Sequence, residues 1–198
     1  MKSMAVLLFL AVPLFAQEAP QPPPEEPRTV LAIGGDTSWG IGVNGRAVGF
    51  ALARAHHHVT IAARLGNGGG RASFEAYLMR NIGPEASEDD EVARTSLDLP
   101  YPALGWVTLF EDMDLEHGVY WLVIAKPRDK PFSSINWIAA SPMVLEATCD
   151  IRYLGTRAYT FFSDAADYIP ASKFKKEVDP YAFQIALTEP REEETECP

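Results

Sequence analysis

The sequence is short of positive charge, which limits its partners. Lysine and arginine together number 17, against 27 aspartate and glutamate residues, so the formal net charge is −10. Nucleic acids and anionic membrane surfaces are bound by basic faces. We therefore expect no nucleic-acid partner, and we attribute the acidity to solubility.

Cysteine is also scarce, since Cys149 and Cys197 are the only two in the chain. An oxidising compartment permits a disulfide between them, which would attach the acidic C-terminal tail to the body of the protein. Two free thiols, or a bond from Cys197 to another chain, are the alternatives that the sequence leaves open.

Long apolar runs are absent after residue 16. Before that point Lys2 is followed by an apolar run at residues 4–15 and by the small residue Ala16, which is the pattern of a secretory signal peptide cleaved after Ala16. The run is shorter than the ~20 residues of a membrane-spanning helix. An uncleaved anchor is the alternative. Both interpretations place the protein outside the cytoplasm, secreted or periplasmic, and cleavage would leave no stable membrane span.

The rest of the chain divides by composition. Residues 17–28 are rich in proline and glutamate, and because proline lacks a backbone donor we expect an extended linker there. Residues 29–188 are predicted to form one domain and residues 189–198 an acidic tail. Residues 1–16 are the predicted signal peptide.

Short apolar segments separated by turns predict strands rather than helices. Apolar residues alternate from Val59 to Leu65, and residues 74–78 show the same period after a turn at residues 67–70, so we expect a hairpin. Residues 118–125 are apolar on both faces and predict a central strand, with residues 135–140 pairing beside it. Strands at this spacing, without a convincing long helix, predict an all-β fold, an antiparallel and jelly-roll-like β-sandwich.

One segment favours a different fold. Residues 40–45 satisfy the glycine pattern G-x-G-x-x-G, and Tyr168 with Lys173 is reminiscent of the residue pair of short-chain dehydrogenases. An NAD(P)-dependent oxidoreductase is therefore an alternative. However, the chain after Leu65 does not alternate strand with helix, as a doubly wound sheet requires. We therefore expect the sandwich and no cofactor.

Residues 76–125 carry a resemblance to a known family. They contain Ala76-Tyr77-Leu78, then Ile82-Gly83-Pro84 with a polar loop, and then the segment LEHGVYWLVI at residues 115–124. This stretch resembles the secreted β-sandwich domains of bacterial PEP-CTERM and choice-of-anchor proteins, without their C-terminal sorting tail. The resemblance implies a secreted sandwich fold, and it brings no catalytic residues.

Aromatic residues and histidines are the candidates for binding. Trp39 and Trp137 are predicted to form a platform on which a sugar ring stacks, whereas Trp106 is expected in the core. Alternate residues of a strand share a face, so His56 and His58 are candidate metal ligands. A polar turn before the following strand is the alternative for these histidines.

Hydrolase signatures are absent, since neither G-x-S-x-G nor H-E-x-x-H occurs. We therefore expect no catalytic residues and a non-enzymatic module with an interaction or structural role at the cell envelope, whose partner is a glycan or an envelope protein. A carbohydrate-binding module of the same fold and the oxidoreductase are the alternatives.

Overall fold

The computed structural model describes residues 26–34, 39–42, 46–70, 72–125, 135–140, 144–159, 174–179 and 182–191. These residues form fourteen β-strands and one short 3-10 helix at Glu88–Asp90. The strands are β1 Arg28–Ile33, β2 Trp39–Gly42, β3 Arg46–Leu52, β4 His56–Asn67, β5 Ala72–Met79, β6 Glu91–Leu99, β7 Ala103–Leu115, β8 Gly118–Ala125, β9 Ile135–Ala140, β10 Val144–Ala147, β11 Ile151–Tyr159, β12 Phe174–Asp179, β13 Ala182–Phe183 and β14 Ile185–Glu189. The described part contains no helix long and apolar enough to cross a membrane.

The strands form two antiparallel sheets that pack face to face. The six-stranded sheet has the order β12-β11-β3-β8-β5-β6. The eight-stranded sheet has the order β10-β1-β14-β4-β9-β13, with β2 beside β9 and β7 beside β4. Every strand pair in the described residues is antiparallel. The predicted all-β, antiparallel sandwich is confirmed.

The core lies between the two sheets and follows the period of two. In β4 the residues Ile61, Ala63 and Leu65 are fully buried, and they meet Phe50 and Leu122 of the opposite sheet in one apolar cluster. Burial of a side chain of this size contributes about 1.5–3 kcal/mol to stability. The alternation that was visible in the sequence therefore supplies the driving force for the sandwich.

The central strand β8 is buried on both faces, as its composition predicts. Its residue Leu122 faces the core, while Trp121 and Val123 belong to a second apolar cluster on the other face of the six-stranded sheet, with Tyr77 and Met79 of β5. β8 lies between β3 and β5. The predicted pairing of residues 135–140 with it is wrong, because β9 pairs with β2, β4 and β13 of the other sheet.

The predicted hairpin of β4 and β5 is also wrong. β4 belongs to the eight-stranded sheet and β5 to the six-stranded sheet, so the connection between them crosses from one sheet to the other. Asn67 marks this crossing, because its Nδ2 donates to the carbonyl oxygens of Leu99 (3.1 Å) and Pro100 (3.2 Å). It thereby ties the β4–β5 crossing to the β6–β7 crossing. The alternation of apolar residues predicts which face of a strand is buried, but it does not predict which strand is its neighbour.

The glycine pattern at residues 40–45 does not begin a nucleotide-binding unit. A βαβ unit requires a helix after the glycines, and the structure has strand β3 at Arg46–Leu52 instead. Gly49 of that strand lies under the indole of Trp121, where an added Cβ would stand 2.6 Å from Cζ3. A glycine at position 49 is therefore needed for packing against the neighbouring strand β8, and the dinucleotide fold is wrong. Residues 1–25, Tyr168 and Lys173 lie outside the described residues.

Candidate functional site

The outer face of the eight-stranded sheet carries a half-exposed tryptophan. Because Ile61, Ala63 and Leu65 of β4 point into the core, the alternate residue Arg64 points outward. Arg64 pairs directly with Trp106 of β7, and directly opposed residues of an antiparallel pair lie on the same face. Trp106 is 52 % exposed. A large aromatic ring therefore stands beside a guanidinium group on the surface.

Apolar side chains from β7 and β9, which lie on the two sides of β4, meet above a glycine next to this tryptophan. A Cβ added to Gly66 would stand 3.4 Å from Cδ1 of Leu104 and 3.6 Å from Cδ1 of Ile138. Leu104 is two residues before Trp106 and is exposed, whereas Ile138 of β9 is buried. We name this surface the Trp106 face, and it comprises Arg64, Gly66, Leu104, Trp106, Asn136, Ile138 and Gln184.

Gln184 supplies a buried amide to the Trp106 face. It lies where β13 ends and β14 begins, and its carbonyl oxygen accepts bonds from the backbone N–H of Arg64 (3.0 Å) and from Nε1 of Trp137 (3.1 Å). Its side-chain Oε1 accepts a bond from Nη1 of Arg64 at 3.2 Å. Gln184 is only 3 % exposed, and within the described ranges its Nε2 has no hydrogen-bond partner. Burial of an unsatisfied donor costs about 1–3 kcal/mol.

A polar cluster at one end of the sandwich holds His56. Its Nδ1 lies 2.8 Å from Oε2 of Glu189 and its Nε2 lies 3.2 Å from Oδ2 of Asp150, which also pairs with Nε of Arg54. The cluster joins the β3–β4 turn, the turn before β11 and the end of β14. His56 is buried, is hydrogen-bonded through Nδ1 to Glu189 and has its Nε2 close to the Asp150 carboxylate, so it links these three segments.

The carboxyl of Asp150 is the charged centre of this cluster. Its burial alone would raise its pKa, but hydrogen bonds from Thr148 and Arg54, with the smaller attraction of His56, outweigh burial and lower the pKa from 3.8 to about 2. The side chain is 11 % exposed. The ionised carboxylate is therefore the form that the folded protein stabilises.

The structure separates the two histidines that were predicted to share a metal. His58 is exposed, and its Nδ1 lies 2.5 Å from Oδ1 of Asp112, whereas His56 is buried against Glu189. The cause is a β-bulge, because His58 has a φ of 55° and the register with β7 shifts between His56 and Val59. Across the described ranges, no three His, Cys, Asp or Glu side chains are grouped to hold a metal.

His57 contacts a second carboxylate next to this bulge. Its Nδ1 lies 3.0 Å from Oδ1 of Asp114, and this hydrogen bond lowers the pKa of the Asp114 carboxyl below 3.8. All four side chains of the two His–Asp pairs are exposed to solvent. The two His–Asp pairs lie on the surface of the bulge and do not converge on a common point.

Trp137, one of the two tryptophans that were predicted to bind a sugar, lies in the core. Trp137 is fully buried, packs against the ring of Phe183 at 5.1 Å between centroids, and donates its N–H to Gln184. It offers no face to a ligand. Trp39 begins strand β2, and its side chain lies outside the described residues.

Sequence reasoning missed Trp106, which was expected in the core. Residues 103–110 are apolar at both alternating sets of positions, so their period does not tell which set faces inward. Thr108 gives the available signal, because it lies on the same face as Trp106 and is polar and exposed. Gly105, on the other set, has no side chain to bury.

Cys149 forms a disulfide. Cys197 lies outside the described residues, so the pairing of the two cysteines stays a prediction. Comparison of the chain with protein-family models, curated proteins and solved structures gives no match. The resemblance to PEP-CTERM and choice-of-anchor domains therefore also stays a prediction.

Proposed function

We propose that this protein is a non-enzymatic β-sandwich module, secreted or periplasmic, that binds carbohydrate on the Trp106 face. The observation that supports the proposal is the half-exposed ring of Trp106 beside the guanidinium group of Arg64 on an exposed sheet face. A pyranose ring presents C–H groups on its faces and hydroxyl groups at its rim. Aromatic surface with a few placed polar groups is the composition of a small-molecule site.

The polar groups of the face suit hydroxyl groups. Arg64 donates one N–H to Gln184, and a guanidinium carries five such donors, so it retains donors for a ligand. Asn136 adds an amide on the side of Gly66 that is opposite to Leu104.

Apolar contact at the same place also supports binding rather than catalysis. Leu104 and Trp106 lie two residues apart on one face and are both exposed. The one buried histidine with carboxylate partners, His56, belongs to the cluster at the end of the sandwich and supports its turns. An envelope protein that covers Trp106 instead of a sugar is the competing outcome of the test.

The test is a glycan array with the purified protein, followed by isothermal titration calorimetry of the glycans that bind. Trp106→Ala should weaken binding at least tenfold, which corresponds to ~1.4 kcal/mol, and Trp106→Phe should restore part of it because the ring is retained. Val119→Ala is the matched control, since Val119 is exposed on the other sheet. Absence of binding to every glycan, or equal binding by Trp106→Ala, would reject the proposal.

A further inference from the structure

The edge strands of the two sheets are protected, with one exception. Unpaired strand edges invite pairing with another chain, and proteins counter this with short strands or charged side chains. β10 and β2 have four residues each and β13 has two. β12 has four charged residues in the sequence FKKEVD, and β6 carries Glu91, Arg94 and Asp98. Each of these edges is therefore unsuitable for strand addition.

β7 is the exception over its first half. It is 13 residues long, and its only strand partner within the described ranges is β4. Residues 103–108, with the sequence ALGWVT, contain no charged side chain and no proline, and they pair with β4 in regular register up to a bulge at Leu109. Leu104 and Trp106 are exposed there. This segment therefore has the features of an edge that accepts another strand.

The second half of β7 limits the direction from which a partner can come. Glu111, Asp112 and Asp114 follow at once, and Asp112 has a φ of 56° at a bulge that bends the edge. A second copy in parallel register would place these acids opposite themselves. An antiparallel copy places each acidic segment beyond the start of the partner's strand, so the repulsion is avoided.

We propose that two copies of this protein associate by antiparallel pairing of residues 103–108 of β7, which precede the bulge at Leu109, across a two-fold axis. With the axis at Trp106, Leu104 of one copy lies opposite Thr108 of the other. A two-fold axis perpendicular to the sheet keeps the same face outward in both copies. The two Trp106 faces therefore join into one continuous surface. Pairing uses backbone groups of the edge and needs no glycan, so it is independent of the proposed ligand.

The test is sedimentation velocity of the full protein at increasing concentration, with a variant that blocks only the edge. A Cβ added to Gly105 meets no atom within 4 Å, and position 105 lies on the side opposite the Trp106 face. Position 105 lies on the inner face of β7, opposite the buried Leu65, so Gly105→Lys places an inward-pointing charge next to the edge without touching the Trp106 face. Far-UV circular dichroism of the variant checks that it folds. Gly68→Lys is the matched control, because its Cβ also meets nothing.

The wild-type protein and Gly68→Lys should dimerise as concentration rises, and Gly105→Lys should raise the dimer dissociation constant at least about tenfold. Added lysine reduces the repulsion between two chains of net charge −10, so loss of the dimer would not result from net charge. Gly105→Lys should keep glycan binding, which separates this proposal from the proposed function. A wild-type monomer at all concentrations, or an unchanged dimer of Gly105→Lys, would overturn it.

Discussion

Replacement of Asp150 by asparagine tests the polar cluster that holds the end of the sandwich. The folded protein lowers the pKa of Asp150 from 3.8 to about 2, through hydrogen bonds from Thr148 and Arg54 that outweigh the opposing effect of burial. At 1.36 kcal/mol per pH unit, this difference corresponds to about 2 kcal/mol. Since the side chain is largely shielded from water, most of that stabilisation should be retained.

The sign of the effect sets its pH dependence. A carboxyl group whose pKa is lower in the folded state stabilises the protein above its unfolded pKa, and this contribution is lost as pH falls through the folded pKa. Asp150→Asn should therefore cost about 2 kcal/mol at pH 7. The difference from the wild type should shrink as pH falls from about 4 towards 2, because protonated Asp150 resembles asparagine in charge.

Urea denaturation at a series of pH values, without reductant so that the Cys149 disulfide remains, measures this directly. Asp89→Asn is the control, since Asp89 is exposed in the turn at Glu88–Asp90. It should change the unfolding free energy by less than about 0.5 kcal/mol at every pH. A loss in Asp150→Asn that stays constant from pH 7 to pH 2 would mean that packing, and not ionisation, explains the effect.

Two further predictions concern packing and use the same denaturation assay. Gly49→Ala should lower the free energy of unfolding by about 1–3 kcal/mol, because its Cβ would stand 2.6 Å from the Trp121 ring. Gly105→Ala has open space around its Cβ and should not lower it, so equal effects of the two variants would contradict the contact. Trp137→Ala should lower the free energy of unfolding by about 3–5 kcal/mol because its ring is fully buried, while Trp106→Ala should lower it far less. The reverse order would place Trp106 in the core and remove the basis of the proposed site.

The fold was predictable from the sequence because burial follows period two. Ile61, Ala63 and Leu65 face the core as their alternation predicts, and the unbroken apolar run of β8 is buried on both sides. The partners of the strands were not predictable in the same way. Asn67 ties two sheet crossings together through contacts to residues 99 and 100, and a contact over that separation leaves no periodic signal.

The candidate site was only partly predictable, for two local reasons. A bulge at His58 breaks the alternation on which the shared face of His56 and His58 depended, and nothing in three successive histidines indicates a positive φ. Aromatic residues were recognised as candidates for sugar binding, but Trp137 was predicted to be exposed and is buried, and Trp106 was predicted to be buried and is exposed. Both lie in apolar strands, and their exposure depends on which alternating set faces inward.

Charge placement distinguishes a central strand from an edge strand, and this distinction bears on both proposals. β8 has no charged residue along its length and is covered on both edges and both faces, whereas β7 is equally apolar from residue 103 to residue 110 and then becomes acidic. An apolar segment with that composition would normally be enclosed by neighbours. In β7 the side chains of Leu104 and Trp106 and the backbone edge are open at the same place within the described part of the protein. A ligand on the face and a second strand at the edge would each cover what the sandwich leaves exposed, and Gly105→Lys separates the two because position 105 lies on the side of β7 opposite Trp106.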